Sequence, residues 1–100
     1  MIENGFATRE PGVFGVSGQL TFQTVPRFLA HTDKLLKNHV GTVTIDMHDV
    51  TLADSAGLAL MIEWLQLARA AKHQIVFTNI PEQVRDLIRV NGLMQAFQLK

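Results

Sequence analysis

The chain has 100 residues, 47% of them hydrophobic and 18% charged, a composition that fills one ordinary core and excludes a disordered chain. Nine basic and nine acidic side chains cancel, so charge alone gives the protein no attraction for nucleic acid or an anionic membrane surface. The absence of cysteine excludes disulfides, thiolate nucleophiles and cysteine-ligated metal sites.

The organisation of the chain indicates a single domain spanning residues 1–100. No long linker, repeat or low-complexity tract interrupts it. The segment MIENGFATRE lacks the basic flank and apolar stretch of an export signal, and no segment has the roughly 18 consecutive apolar residues of a membrane span. We therefore expect a cytoplasmic protein.

The first part of the chain predicts a hairpin and then a helix. A strand is expected somewhere in residues 2–9, followed by a second in VFGVSGQL, where Phe14 and Val16 share one face with a period of two. From Thr24 the spacing becomes helical as far as about Asn38. The stripe of this helix contains Val25, Phe28, Leu29, Thr32, Leu35 and Leu36.

The second part of the chain alternates strands and helices. GTVTIDM predicts a strand, followed by a helix to about Lys72, a strand at QIVFTN and a helix from Pro81 to Asn91. A short final helix is expected at Leu93–Phe97. The order ββαβαβαα predicts a small α/β domain with a mixed sheet of about four strands, in which strands separated by helices pair in parallel.

The sequence offers no recognisable catalytic centre. It contains neither the phosphate-binding pattern GxxxxGK[ST] nor GxGxxG between a strand and a helix, so the chain is not an NTPase of the usual kind and no cofactor is expected. The pattern GxSxG is also absent, and the local sequence places neither His48 nor His73 to act as a base for Ser55. We therefore expect a protein that is not an enzyme.

The segment DMHD raises the question of a metal site. Asp46 and His48 would point to one face at the end of a strand, with Asp49 beside them. Asp and His at strand ends are common in turns, and no fourth ligand occurs at a recognisable spacing. We therefore expect turn-forming residues here and no metal.

The segment LADSAGLALM places a helix start directly after a strand. Either Asp54 or Ser55 can cap this helix, and we predict that Asp54 is the principal cap and that Ser55 is exposed. The apolar arc of the helix is about twice the roughly 100° that packing on one sheet needs. Either another helix covers the surplus, or part of it is a docking surface for a partner, with Leu60 and Trp64 as the leading candidates.

At DSAGLAL, between a strand and a helix, the sequence resembles the STAS domain family, named for sulfate transporters and anti-sigma-factor antagonists. The segments VSGQLTFQTVPRFL and VTIDMHDV extend the resemblance, which covers nearly the whole chain and implies the same ββαβαβαα topology. In the antagonists a partner kinase phosphorylates the serine that corresponds to Ser55. This chain has Gly18-Gln19-Leu20-Thr21 where antagonists often carry two acidic residues, so it departs from that branch.

The segments DSAGLALMIEWLQLARA and NIPEQVRDL are similar to another branch, the small STAS subunit of the Mla phospholipid ABC transporter, which maintains outer-membrane lipid asymmetry. This resemblance implies a protein without catalysis of its own that binds the transporter's ATPase subunit, with Ser55 at the contact, and is peripheral to the inner membrane only through its partner. The alternative is an anti-sigma-factor antagonist that binds an anti-sigma factor kinase and is switched by phosphorylation of Ser55.

Overall fold

The computed structural model describes residues 2–3, 6–37 and 41–99, and these form five strands and three helices. None of the helices in these ranges is both long and apolar enough to cross a membrane. In chain order the elements are β1 (Ile2–Glu3), β2 (Phe6–Glu10), β3 (Val13–Leu20), α1 (Val25–Lys37), β4 (Thr42–Ala53), α2 (Ser55–Ala70), β5 (Gln74–Thr78) and α3 (Glu82–Val90).

The predicted hairpin is confirmed. Strands β2 and β3 pair in an antiparallel manner, with Phe6 opposite Val16. Pro11 and Gly12 connect them, and Gly12 has a φ of 80°, a left-handed conformation that glycine adopts without strain. Proline followed by glycine is typical of a type II turn. The predicted end of the first helix, Asn38, lies outside the described residues.

The predicted parallel pairing is also confirmed. Strand β4 pairs in parallel with β3 and with β5, so that Phe14, Ile45 and Phe77 lie side by side across the sheet. The strand order is β1-β2-β3-β4-β5. Because β1 has only two residues, the domain is in effect the small α/β fold with a four-stranded mixed sheet that the sequence predicts.

Strand β4 is longer than the sequence predicts. It has 12 residues and continues past Met47 to Ala53, because β3 continues beside it as far as Leu20. The register between the two strands shifts twice along this stretch, which accommodates the extra residues. His48 and Asp49 therefore lie within a strand, and the prediction that they form a turn is wrong.

The predicted final helix at Leu93–Phe97 is wrong, because residues 94–98 form consecutive turns. The Leu99 N–H donates at 2.8 Å to the carbonyl of Met94, five residues earlier. An α-helical hydrogen bond joins residues that are four apart. Gln98 has a φ of 58°, in the left-handed region. Phe97, one of the apolar residues in this segment, packs in the core from these turns, with its ring centroid 5.6 Å from that of Phe77.

One face of the sheet carries the core. Val43, Ile45 and Met47 on β4 are completely buried, whereas Thr44 and Asp46, which alternate with them, are only half-buried. All three helices contribute buried side chains to the same core. The opposite face of the sheet therefore keeps its polar residues within reach of solvent.

Helix α1 covers the surplus apolar arc of α2. Trp64 is 0% exposed, and its Nε1–H donates to Thr32 Oγ1 of α1 at 2.8 Å. The Thr32 hydroxyl in turn donates to the Phe28 carbonyl at 3.0 Å. Leu60 is 1% exposed. The prediction that Leu60 and Trp64 face outward is wrong, because α1 packs against α2 and encloses both side chains.

Replacing Thr32 by valine should destabilise the domain. The substitution keeps the shape of the side chain but removes the acceptor of the buried Trp64 Nε1–H. A buried donor that loses its acceptor costs roughly 1–3 kcal/mol. Thr32→Ser, which keeps the hydroxyl, is the control and should lose less. Urea unfolding followed by far-UV circular dichroism measures both, and a Thr32→Val midpoint equal to that of the unaltered protein would contradict this account.

Candidate functional site

Ser55 lies at the edge of the sheet where β3 and β4 end. Strand β4 finishes at Ala53, and Ser55 is the first residue of α2. The residue is exposed, as predicted. Its hydroxyl forms no hydrogen bond to the residues that the structure describes. The site therefore presents a hydroxyl group to solvent at the positive end of a helix dipole.

Asp54 caps α2, as predicted. Its Oδ1 accepts hydrogen bonds from the Ala56 N–H at 2.8 Å and the Gly57 N–H at 3.4 Å. The first N–H groups of a helix have no acceptor one turn earlier. Of these two donors, the Gly57 N–H also donates to the Asp54 backbone carbonyl at 3.0 Å. The cap fixes the direction in which α2 leaves the sheet, and it thereby fixes the position of Ser55.

The second oxygen of Asp54 holds the loop between β3 and α1. Its Oδ2 accepts a hydrogen bond from the Phe22 N–H at 3.3 Å. The Phe22 side chain is 82% exposed. Thr24 completes the loop, because its hydroxyl accepts from the Thr21 N–H at 2.9 Å and donates to the Gln19 carbonyl at 2.6 Å. One carboxylate thus holds the backbone of an exposed aromatic residue close to the start of α2.

Phe22 is a candidate that sequence reasoning missed. A large aromatic side chain with 82% of its surface in water is unusual for a folded domain, and aromatic residues are enriched where proteins bind each other. Its position in the sequence could have identified it. In the segment LTFQT, between a predicted strand and a predicted helix, this phenylalanine is the one aromatic residue and has polar neighbours on both sides. Leu52, which is 45% exposed two residues before Asp54, adds apolar surface at the same edge.

Gly57 allows α2 to approach β3 closely. A Cβ atom at this position would lie 2.7 Å from the Leu20 carbonyl oxygen and 3.0 Å from the Leu20 Cβ. The former contact is with backbone, which cannot rotate away. The Asp54 N–H donates to the same Leu20 carbonyl at 3.2 Å. The first turn of α2 is therefore pressed against the end of β3, which makes the site rigid.

An open groove runs between α1 and α2. Its walls are Val25 and Leu29 of α1 and Ala59 and Glu63 of α2, its volume is about 290 Å³, and Leu60 also lines it. Leu29 is 43% exposed and Ala59 is exposed, whereas Leu60 is 1% exposed. Of the two predicted docking residues, Leu60 is thus enclosed beneath this groove. Trp64 lies deeper, against Phe77 at a ring separation of 6.3 Å.

The DMHD segment forms a polar cluster on the open face of the sheet. Arg9 of β2 donates to Asp46 Oδ2 at 2.6 Å and to Asp49 Oδ2 at 3.0 Å. The guanidinium reaches Asp46 by lying across Gly15, where a Cβ would be 2.6 Å from Arg9 Nε. Asp46 Oδ1 accepts from Asn79 Nδ2 at 3.0 Å. An arginine thus occupies the place between the carboxylates that a cation would need.

The other acidic and histidine side chains of the described residues form no metal site either. No group of three or more His, Asp or Glu side chains in that part of the chain could hold an ion. His48 is exposed on β4, and its backbone N–H donates to Asp46 Oδ1 at 2.9 Å. Asp46 and Asp49 are therefore joined by ion pairs to Arg9 of β2, which reaches them across β3, and Asp46 is joined by a hydrogen bond to the loop after β5.

A family model described as "Mlab, STAS domain" matches residues 7–99. The comparison with curated proteins gave no match. Among solved structures, the chain is similar to the unphosphorylated anti-sigma factor antagonist SpoIIAA, with 16% identity, a TM-score of 0.65, and coverage of 84% of this chain and 79% of that one. It is also similar to the phosphorylated form of SpoIIAA from Bacillus, with 17% identity, a TM-score of 0.68, and coverage of 90% and 84%.

A sulfate transporter family protein from Wolinella succinogenes is similar as well, with 14% identity and a TM-score of 0.69. The match covers 91% of this chain and 75% of that one. At these identities the likeness to solved structures shows a common fold.

Asp54→Ala should cost more stability than Ser55→Ala. The first substitution removes two helix-capping bonds and the bond to the Phe22 N–H, and the loss of a cap costs about 1 kcal/mol. Ser55 makes no comparable bond. Urea unfolding of the two variants beside the unaltered protein gives the comparison. If Ser55→Ala proves the less stable variant, the hydroxyl has a structural role that the geometry does not account for.

Asp46 should make stability depend on pH in the acid range. The hydrogen bond from Asn79 lowers the pKa of Asp46 below its ordinary value of 3.8, helped by the His48 N–H and the charge of Arg9 and opposed by burial. A carboxylate with a depressed pKa stabilises the fold above its unfolded pKa, and this contribution is lost as the pH falls through the folded pKa.

The measurement is the free energy of unfolding of the unaltered protein and of Asp46→Asn between about pH 6 and pH 3. The unaltered protein should be more stable at pH 6, and the difference should shrink below about pH 4. A difference that stays constant over the range would mean that ionised Asp46 contributes nothing specific.

Proposed function

The chain belongs to the STAS domain family, and from this premise we propose that it is a non-catalytic accessory subunit that binds the ATPase of a phospholipid-transporting ABC complex. STAS domains are protein-interaction modules. The description of the matching family model, "Mlab, STAS domain", supports the assignment to the Mla branch. In this role the protein supports assembly and activity of a transporter that maintains outer-membrane lipid asymmetry, and it reaches the inner membrane only through its partner.

One observation carries the proposal, namely the surface around Ser55. It combines an exposed hydroxyl on a rigid helix start with the exposed Phe22 ring, and Asp54 holds both in place. A hydroxyl beside an exposed aromatic residue suits a surface that becomes buried on binding, since aromatic side chains supply contact area with few rotatable bonds. The surface therefore fits a permanent protein partner.

The serine-phosphorylated regulator is the second candidate, because the same exposed hydroxyl would also be open to a kinase. Two features weigh against it. The turn that carries acidic residues in many antagonists has Gln19 and Thr21 here, and Thr21 is tied to Thr24 by hydrogen bonds. Two donors of the α2 N-terminus that would attract a phosphate, the Ala56 and Gly57 N–H groups, are already bonded to Asp54.

Ser55→Asp should separate binding from stability. The charge lies at the favourable end of the helix dipole, and its repulsion by Asp54 is weakened by water because position 55 is exposed, so the isolated domain should melt close to the unaltered protein. A charge buried without a partner in an interface is costly, so the complex with the ATPase should be lost. The measurements are thermal melting of the variant and its co-purification with the ATPase subunit of the phospholipid ABC transporter from the same organism.

Gln83→Asp is the matched control, because it adds the same charge at an exposed position near the start of α3. It should leave both the melt and the complex unchanged. If Ser55→Asp melts early, Ser55 is structural. If Ser55→Asp keeps the complex while Gln83→Asp loses it, the ATPase binds at α3 and the assigned surface is wrong.

A further inference from the structure

The groove between α1 and α2 continues from the Ser55 surface. Both helices begin at the same edge of the sheet, where β3 and β4 end. Val25 begins α1 three residues after Phe22, and Ala59 follows Ser55 by four residues, about one turn of α2. A partner that contacts Phe22 and Ser55 therefore reaches the mouth of the groove without crossing other surface.

The size and openness of the groove decide what kind of occupant it fits. Small-molecule sites bury most of the surface of their ligand, in clefts or cavities whose lower volume limit, roughly 300 Å³, is close to that of this groove, so openness is what distinguishes it. This groove has about 290 Å³, is open, and is lined mainly by Val25, Leu29, Ala59 and Leu60. Its walls are two helices, and an apolar groove of that kind binds the apolar face of a third helix. A protein helix therefore fits better than a small ligand.

Glu63 gives the groove its charge. It is half-buried, lines the groove two helical turns beyond Ser55, and forms no ion pair with the side chains that the structure describes. An apolar partner alone would bury this carboxylate without compensation, which is costly. A lysine or arginine on the bound helix would satisfy it.

A second copy of this chain fits the groove poorly. A two-fold contact brings the same surface of both copies together. Each copy would bring Glu63 to the contact, and the residues that line the groove include no basic side chain. A groove facing a second groove would therefore offer neither Glu63 carboxylate a cation.

We propose that the α1/α2 groove receives an amphipathic helix of the partner ATPase, with apolar side chains between Leu29 and Ala59 and a basic side chain at Glu63. This inference rests on the function proposed above and deepens it. Phe22 is the aromatic anchor at the mouth of the groove. The interface thus extends from the start of α2 along its exposed side, away from α3.

The first test measures the affinity of the purified ABC ATPase subunit for variants of this protein that change the charge at Glu63. Glu63→Lys should weaken binding by about tenfold or more, because a cation then faces a cation. Glu63→Gln should weaken binding less and should reduce its dependence on salt. Gln66→Lys is the control, since Gln66 is exposed on α2 but does not line the groove, and it should bind as the unaltered protein does.

The second test uses the absence of cysteine, which lets a single introduced thiol be modified alone. Ala59→Cys should bind the ATPase before reaction with N-ethylmaleimide and lose most of its affinity afterwards. Val90→Cys, at a position on α3 that is 78% exposed, should bind equally before and after reaction. Thermal melting of each modified protein confirms that the fold is intact.

The outcomes separate the two proposals. If the ATPase binds and Ser55→Asp abolishes binding, but Glu63→Lys and modified Ala59→Cys bind normally, the groove inference is overturned and the proposed function stands. If the unaltered protein does not bind the ATPase, both are overturned. If modification of Ala59→Cys instead dissociates a dimer of this chain, the occupant is a second copy and the inference is overturned.

Discussion

The structure around the site depends on one carboxylate. Asp54 shares its two oxygens between the first turn of α2 and the Phe22 N–H in the loop before α1. Without it, the Ala56 N–H at the start of α2 would need water, and the loop would lose its tie to the helix. The positions of Ser55 and Phe22 are thus set by the same side chain, although the two residues are far apart in the sequence.

Close packing adds to this constraint. Gly57 lets the first turn of α2 touch Leu20, and α1 closes over the other side of α2 through Thr32 and Trp64. A helix fixed on two sides and capped at its end cannot shift without breaking several contacts together. The exposed surface near Ser55 is therefore preorganised, and a preorganised surface loses little conformational entropy on binding.

The sequence predicts most of this architecture because its signals are local. The strand and helix periods, the cap at Asp54 and the exposure of Ser55 depend on a few neighbouring residues. The burial of Leu60 and Trp64 is not local, since a helical wheel gives the width of an apolar arc but not the element that covers it. A clue was present in Thr32, a polar residue in the buried stripe of α1 that needs a partner in the core.

The length of β4 also depends on residues far away in the sequence. Its later residues are held by pairing with β3, which the local sequence does not show.

The chemistry of the helix start bears on whether docking at this site is permanent or switched. A phosphate at a helix N-terminus is stabilised when free backbone N–H groups point at it. Here the Ala56 and Gly57 N–H groups already bond to the Asp54 carboxylate, so a phosphate on Ser55 would have to compete with that carboxylate and would be repelled by it. A neutral serine beside exposed apolar surface has neither difficulty and can be buried against a partner. A neutral Ser55 is thus compatible with burial against a partner, and a phosphate on it would add a repelled charge at the same place.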